Sequence, residues 1–72
     1  MMPSKYYLQI DLNVLRSDLI ARHKRVFQFD DVVEWLGRNG FRLHRGARWL
    51  VSESMISRIP SESISAVERI SD

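Results

Sequence analysis

Between Phe29 and Val51 the hydrophobic period changes from helical to alternating across a single Asn39-Gly40 pair, and this switch restricts the fold more than any other feature. Asp30 is placed to cap a helix over Asp31–Gly40, with acids in its first turn, Arg38 in its last and Asn39-Gly40 as a stop. That order of charges suits the helix dipole. Val32, Val33, Trp35 and Leu36 make one continuous apolar face, onto which Phe29 is positioned to staple. Phe41 to Val51 then reads as a β-hairpin. With Arg45, Gly46 and Ala47 as its loop, His44 faces Arg48, Leu43 faces Trp49 and Phe41 faces Val51. This register gathers Phe41, Leu43, Trp49 and Val51 on one apolar side, whereas a slip of one residue would set Trp49 beside Arg42. A three-residue loop usually carries its glycine last, and Gly46 stands in the middle, so the turn type stays open.

Upstream, Tyr6 to Leu12 alternates, with Tyr6, Leu8, Ile10 and Leu12 on one side, as a half-buried strand does. Asn13 is a suitable cap for a helix from about Val14 to His23 that points Arg16, Arg22 and Lys24 outward. Arg22-His23-Lys24-Arg25 forms a basic knot ahead of Phe27 and Phe29. Downstream, Ser52-Glu53-Ser54 opens another helical stretch through Met55, Ile56 and Ile59, which Pro60 ends. The serine-rich segment 61–72 is open between a short helix, a strand over Ile64–Ile70 and a flexible tail. Trp35 and Trp49 are expected in the core. Tyr6 and Tyr7 straddle the two sides of their strand, one buried and one exposed. Met1, Met2 and Met55 are scattered and carry no pattern.

A chain of 72 residues has room for one domain, and without a cysteine it must close its core by apolar burial alone. The missing cysteines also remove disulfides and thiolate zinc sites, and favour a reducing compartment. Apolar runs fall far short of a membrane span, and Met1–Lys5 lacks the features of a secretory signal. The expectation is a cytoplasmic protein, bacterial or phage in style, with no membrane partner.

The net charge of +2 becomes informative when divided along the chain. Residues 1–37 balance, residues 49–72 carry an acidic excess, and residues 38–48 hold four arginines and no acid. A localised basic segment is the electrostatic footprint of a phosphate-binding surface. The case for catalysis is thin. His23 and His44 are the only histidines, no paired carboxylates stand at metal-ligand spacing with either, and no serine has a partner base. The three glycines fall in a helix and two turns, so no glycine-rich phosphate loop exists. No enzyme activity, metal or cofactor is expected.

The binding case rests on the hairpin, whose apolar face must pack on a helix and leave Arg42, His44, Arg45 and Arg48 on its free side and tip. Arginines on a protruding hairpin contact phosphates or enter a narrow minor groove. The segment Gly46-Ala47-Arg48-Trp49-Leu50-Val51-Ser52-Glu53-Ser54-Met55-Ile56 resembles the wing and following segment of phage excisionases, with Asp31–Leu36 in the place of the recognition helix. The resemblance covers roughly residues 29–59. It implies a winged-helix recombination directionality factor that binds and bends DNA beside an integrase without being an enzyme. It would put Arg45 and Arg48 on the wing, Arg38 at the end of the recognition helix, and Arg22, Lys24 and Arg25 on the phosphate backbone. Asp30, Asp31 and Glu34, crowded at the start of that helix, depart from this pattern.

Val33 to Arg45 is also similar to the helix-to-strand passage of HicA-type toxins, small RNases with a double-stranded-RNA-binding-like fold. Gly46-Ala47-Arg48 stands where that family carries its catalytic histidine, so the likeness implies either RNA binding without cleavage or a shared fold with no shared activity.

The combined expectation is a small single-domain α+β fold, a central helix on a short antiparallel sheet with a wing-like hairpin. Its expected role is that of a non-catalytic DNA-binding accessory or regulatory protein. The rival is a protein-interaction module whose open strand edge at Tyr6–Leu12 recruits a partner strand.

Overall fold

A computed structural model describes residues 4–70; Met1, Met2, Pro3, Ser71 and Asp72 lie outside them, and with them part of the segment read as lacking a secretory signal and the end of the 61–72 segment. In chain order the elements are β1 (Lys5–Ile10), α1 (Leu12–His23), α2 (Phe29–Arg38), β2 (Arg42–Arg45) and β3 (Arg48–Ser52). Two 3₁₀ segments, Glu53–Arg58 and Ser61–Ser63, then lead to β4 (Ile64–Arg69). The strands form one antiparallel sheet in the order β2-β3-β1-β4. This is an α+β fold in two layers, helices on one face of the sheet.

The core lies between those layers. Leu8 and Ile10 of β1 and Trp49 and Val51 of β3 meet Leu15 and Leu19 of α1 and Val32 and Leu36 of α2. Alternation along the strands dictates this, because every second side chain faces the helices. Phe27, Phe41 and Ile59 complete the cluster from the connections. Trp49 is buried as expected, while Trp35 is half-buried and packs at the edge.

Both helices start from devices one to three residues away from the expected ones. Asp11, not Asn13, caps α1, its carboxylate accepting the backbone N–H groups of Asn13 and Val14 at 3.0 and 3.2 Å. Asp11→Ala should therefore cost about 1 kcal/mol, seen as a lower denaturant midpoint at unchanged slope, with Asp11→Asn close to wild type. At α2 the cap position falls on Gln28, whose N–H donates to the Asp31 carboxylate at 2.8 Å. Asp30 is thus inside the helix, and the staple residue is not Phe29 but Phe27. Phe27 precedes the cap and shares the core with Val32, the pair of positions a staple joins, whereas Phe29 is 47% exposed. Val33 is also exposed, which narrows the apolar face.

The stop at Asn39-Gly40 is as expected. Gly40 has φ +87°, and the N–H groups of Gly40 and Phe41 reach back to Gly37 and Leu36 oxygens at 3.4 and 2.9 Å, a Schellman closure. Arg16 does not point outward: its Nε donates to the Phe27 carbonyl, satisfying a backbone acceptor in the α1–α2 connection. The segment after Pro60 contains the strand alternative, since β4 pairs with β1 from Tyr6–Arg69 to Gln9–Ala66.

The hairpin differs from the expected register at its turn and at its base, where β2 begins at Arg42 and the expected Phe41–Val51 pair lies outside the ladder. Leu43 does face Trp49, but Arg45 rather than His44 faces Arg48, so His44 is an extra residue on β2 and the turn holds only Gly46 and Ala47. Gly46, at φ +58°, suits a two-residue turn of this kind. Leu43 is 52% exposed despite its inward parity, because β2 is an edge strand that overhangs the helices. Nor does the turn stand free: the Ala47 carbonyl accepts the Ile10 N–H at 3.0 Å.

Candidate functional site

The face of the sheet turned away from the helices carries the charged and aromatic residues. Register puts Arg42, Leu50, Tyr7 and Glu68 in one row across the four strands. The next row contains Arg48 and Gln9, with Arg45 opposite Arg48. Without the bulge at His44, Arg45 would turn toward the helix side. The extra residue instead brings His44 and Arg45 together on the open face, two residues opposite one.

A stacked group occupies the middle of this face. The Tyr7 and His44 rings lie 4.7 Å apart between centroids, tilted by 42°. The Arg48 guanidinium sits 4.4 Å from the Tyr7 centroid and is held on its far side by an ion pair with Glu68. Tyr7 and Arg48 are half-buried, while Arg42, His44 and Arg45 are exposed. Neither Arg42 nor Arg45 joins an ion pair among the described residues. Beside Arg42 runs a groove of about 540 Å³ lined by Lys5, Gly37, Gly40, Phe41, Leu50, Val51 and Ser52, with no carboxylate in its wall.

The eight residues expected to bind do not form one surface. Arg42, His44, Arg45 and Arg48 come together as described. Arg22 and Arg25 sit at the other end of α1 from the hairpin turn, since Ala47 is tied to Ile10 at its start. A 12-residue helix puts about 18 Å between those ends.

Two members of this second group, Arg22 and Arg38, have acidic partners, while Lys24 and Arg25 join no ion pair among the described residues. Arg22 pairs with Asp18 at 2.7 Å and also donates to the Arg58 carbonyl. Arg38 pairs with Glu34, and with Arg25 it lines a small cleft shared with Asp31, Glu34 and Trp35. Arg25 itself lies over the Phe27 ring at 4.0 Å. Lys24 closes α1 in the left-handed conformation, φ 57°, and is exposed.

Tyr7, Lys5 and Gln9 join the site although the hairpin pattern did not point to them. The available signal was parity: in a strand whose even positions are buried, Lys5, Tyr7 and Gln9 must share the opposite face. Tyr6 is engaged structurally, its hydroxyl donating to Glu53 at 2.8 Å, and that bond to a carboxylate holds its pKa above the ordinary tyrosine value.

Among the described residues no helix is long and apolar enough to cross a membrane, and no group of three or more His, Asp or Glu side chains is placed to hold a metal ion. The chain matches no protein-family model, no curated protein and no solved structure.

Proposed function

We propose that this protein is a non-catalytic DNA-binding protein that works in the cytoplasm and holds the phosphate backbone against the open face of its sheet. The observation that carries this reading is the grouping of Arg42, Arg45 and Arg48 on one face, the first two without a counter-ion among the described residues. Arg42 and Arg45 stand exposed on this face without an ion pair among the described residues, and a phosphate that reaches either gains charge-assisted hydrogen bonds without displacing an acid.

The excisionase resemblance supports an accessory role beside an integrase, as it rests on the passage from α2 into the β2–β3 hairpin. The role of α2 itself is smaller than the resemblance implies. Its exposed positions include Asp30 and Glu34, and its one arginine is paired, so its field opposes phosphates. We therefore assign backbone contact to the sheet face and no base reading to α2.

A second reading, docking of a partner protein, is favoured by a different observation. β1 is not an open edge, because β3 and β4 flank it, but β4 pairs on one side only and exposes Val67. Strand pairing there would survive salt that strips nucleic acid from the protein.

The test is fluorescence anisotropy with labelled 20-mers of DNA, duplex and single-stranded, at low and moderate salt. Binding of at least one form that weakens steeply with salt is expected. No binding of either form at low salt would sink the DNA reading, and binding confined to RNA 20-mers would move the protein to the HicA-like alternative.

A further inference from the structure

The geometry points to an unpaired DNA strand, with its bases on the Tyr7–His44 pair, as the ligand of the open sheet face. This inference rests on the DNA reading above and names the form of DNA that the face accepts.

Size is the first argument. Four strands at roughly 4.8 Å spacing make a surface about 14 Å wide before side chains are added, against a major groove of about 12 Å. The sheet face cannot enter a duplex groove and reach base edges. On a duplex it touches phosphates only, and the aromatic pair at its centre makes no contact with a base. On a single strand the bases are free to turn toward the protein, and each offers a π-face.

Chemistry is the second. The exposed His44 ring leans on the half-buried Tyr7 ring at 4.7 Å, and Arg48 lies on Tyr7 at 4.4 Å, so Tyr7 is held by both neighbours and the His44 ring is the one that meets solvent. Glu68 fixes that guanidinium. Rings fixed before binding lose little side-chain freedom when a base stacks on them.

The surrounding charge has the sign a strand needs. Arg42 and Lys5 line the acid-free groove at one end of the face, and Arg45 stands by the turn at the other, so cations lie to either side of the rings. Gln9 lies in the row next to Tyr7 with both donor and acceptor groups for a base edge. Phosphates on the flanking cations and bases on the central rings are the two halves of single-strand recognition.

The experiment compares a labelled dT 12-mer with an abasic 12-mer of the same charge, each titrated with the full chain. Wild type should bind the dT 12-mer at least about tenfold more tightly, the weight of one stacked base. Tyr7→Leu and His44→Ala should each remove most of that preference, read as the ratio of dT to abasic affinity for the same variant, while Tyr7→Phe keeps it. His44 is exposed on an edge strand, so its variant tests the inference even where a change at Tyr7 loosens the sheet.

Equal binding of dT and abasic 12-mers overturns the inference and leaves phosphate-mediated DNA binding standing, as does a parallel loss on both probes in the ring variants. A uridine 12-mer bound more than tenfold tighter than the dT 12-mer overturns the choice of DNA. Absence of binding to every one of these probes and to duplex as well removes the DNA reading itself.

Discussion

Replacing Arg42 and Arg45 together by alanine is expected to lower DNA affinity at least about tenfold at low salt, because each is an exposed guanidinium with no ion-pair partner among the described residues. The log–log dependence of affinity on salt should flatten by about 1.4 on a single strand, at roughly 0.7 per phosphate contact, and by about 1.8 on duplex, at roughly 0.9. Fold stability should barely change, as both side chains project from an edge strand. The contrast is Arg38→Ala. That arginine is spent on Glu34 and belongs to the helix layer, so its removal should leave both affinity and slope within error of wild type. An equal loss in the two variants would mean that the charges act as a diffuse field and that the sheet face has no special role.

Leu8→Ala is expected to produce the largest loss of stability. Leu8 is fully buried in the central half of the sheet, between β3 and β4, and faces the helices. Truncation of such a leucine costs about 2–5 kcal/mol. A chain of 72 residues has a total stability of about 4–11 kcal/mol, so the variant should lose roughly half of it and melt at least about 10 °C lower. Leu43→Ala should cost under about 1 kcal/mol, although both leucines have inward parity, because Leu43 overhangs the helix layer and is half in water. Comparable losses at the two sites would contradict the strand order, which makes β1 interior and β2 an edge.

Much of this architecture was legible in local pattern. The change of period at Asn39-Gly40 marked the α2–β2 junction, and Gly40 closes the helix there with the positive φ that a glycine supplies at little steric cost. The pairing of Leu43 with Trp49 followed from keeping apolar residues on one side. Strand order was not legible, since alternation in β1 marks a half-buried strand whether it sits at an edge or in the middle. With β1 interior, the open edge expected at Tyr6–Leu12 is taken by β4, whose own pattern of Ile64, Val67 and Ile70 suited a helix as well as a strand.

The site was half legible for a related reason. Four arginines between residues 38 and 48 marked the hairpin, but charge counts do not reveal pairing, and Arg38 and Arg48 turn out to have acidic partners. The bulge at His44 depends on a two-residue turn that Gly46 permits and that no spacing rule demanded. Tyr7 was visible as one of two adjacent tyrosines on opposite sides of a strand. Its role needs the ring of a residue 37 positions away, which only the folded sheet brings within 4.7 Å.

The central claim is that ligand meets the open sheet face and not the helices. The most direct measurement is a titration of isotope-labelled protein with the dT 12-mer, followed through backbone amide and arginine side-chain resonances. The account places the large shifts on Tyr7, Arg42, His44, Arg45 and Arg48 and leaves Asp30, Glu34 and Arg38 unmoved. Shifts concentrated on α2 and the end of α1, with the β1–β3 face silent, would contradict it.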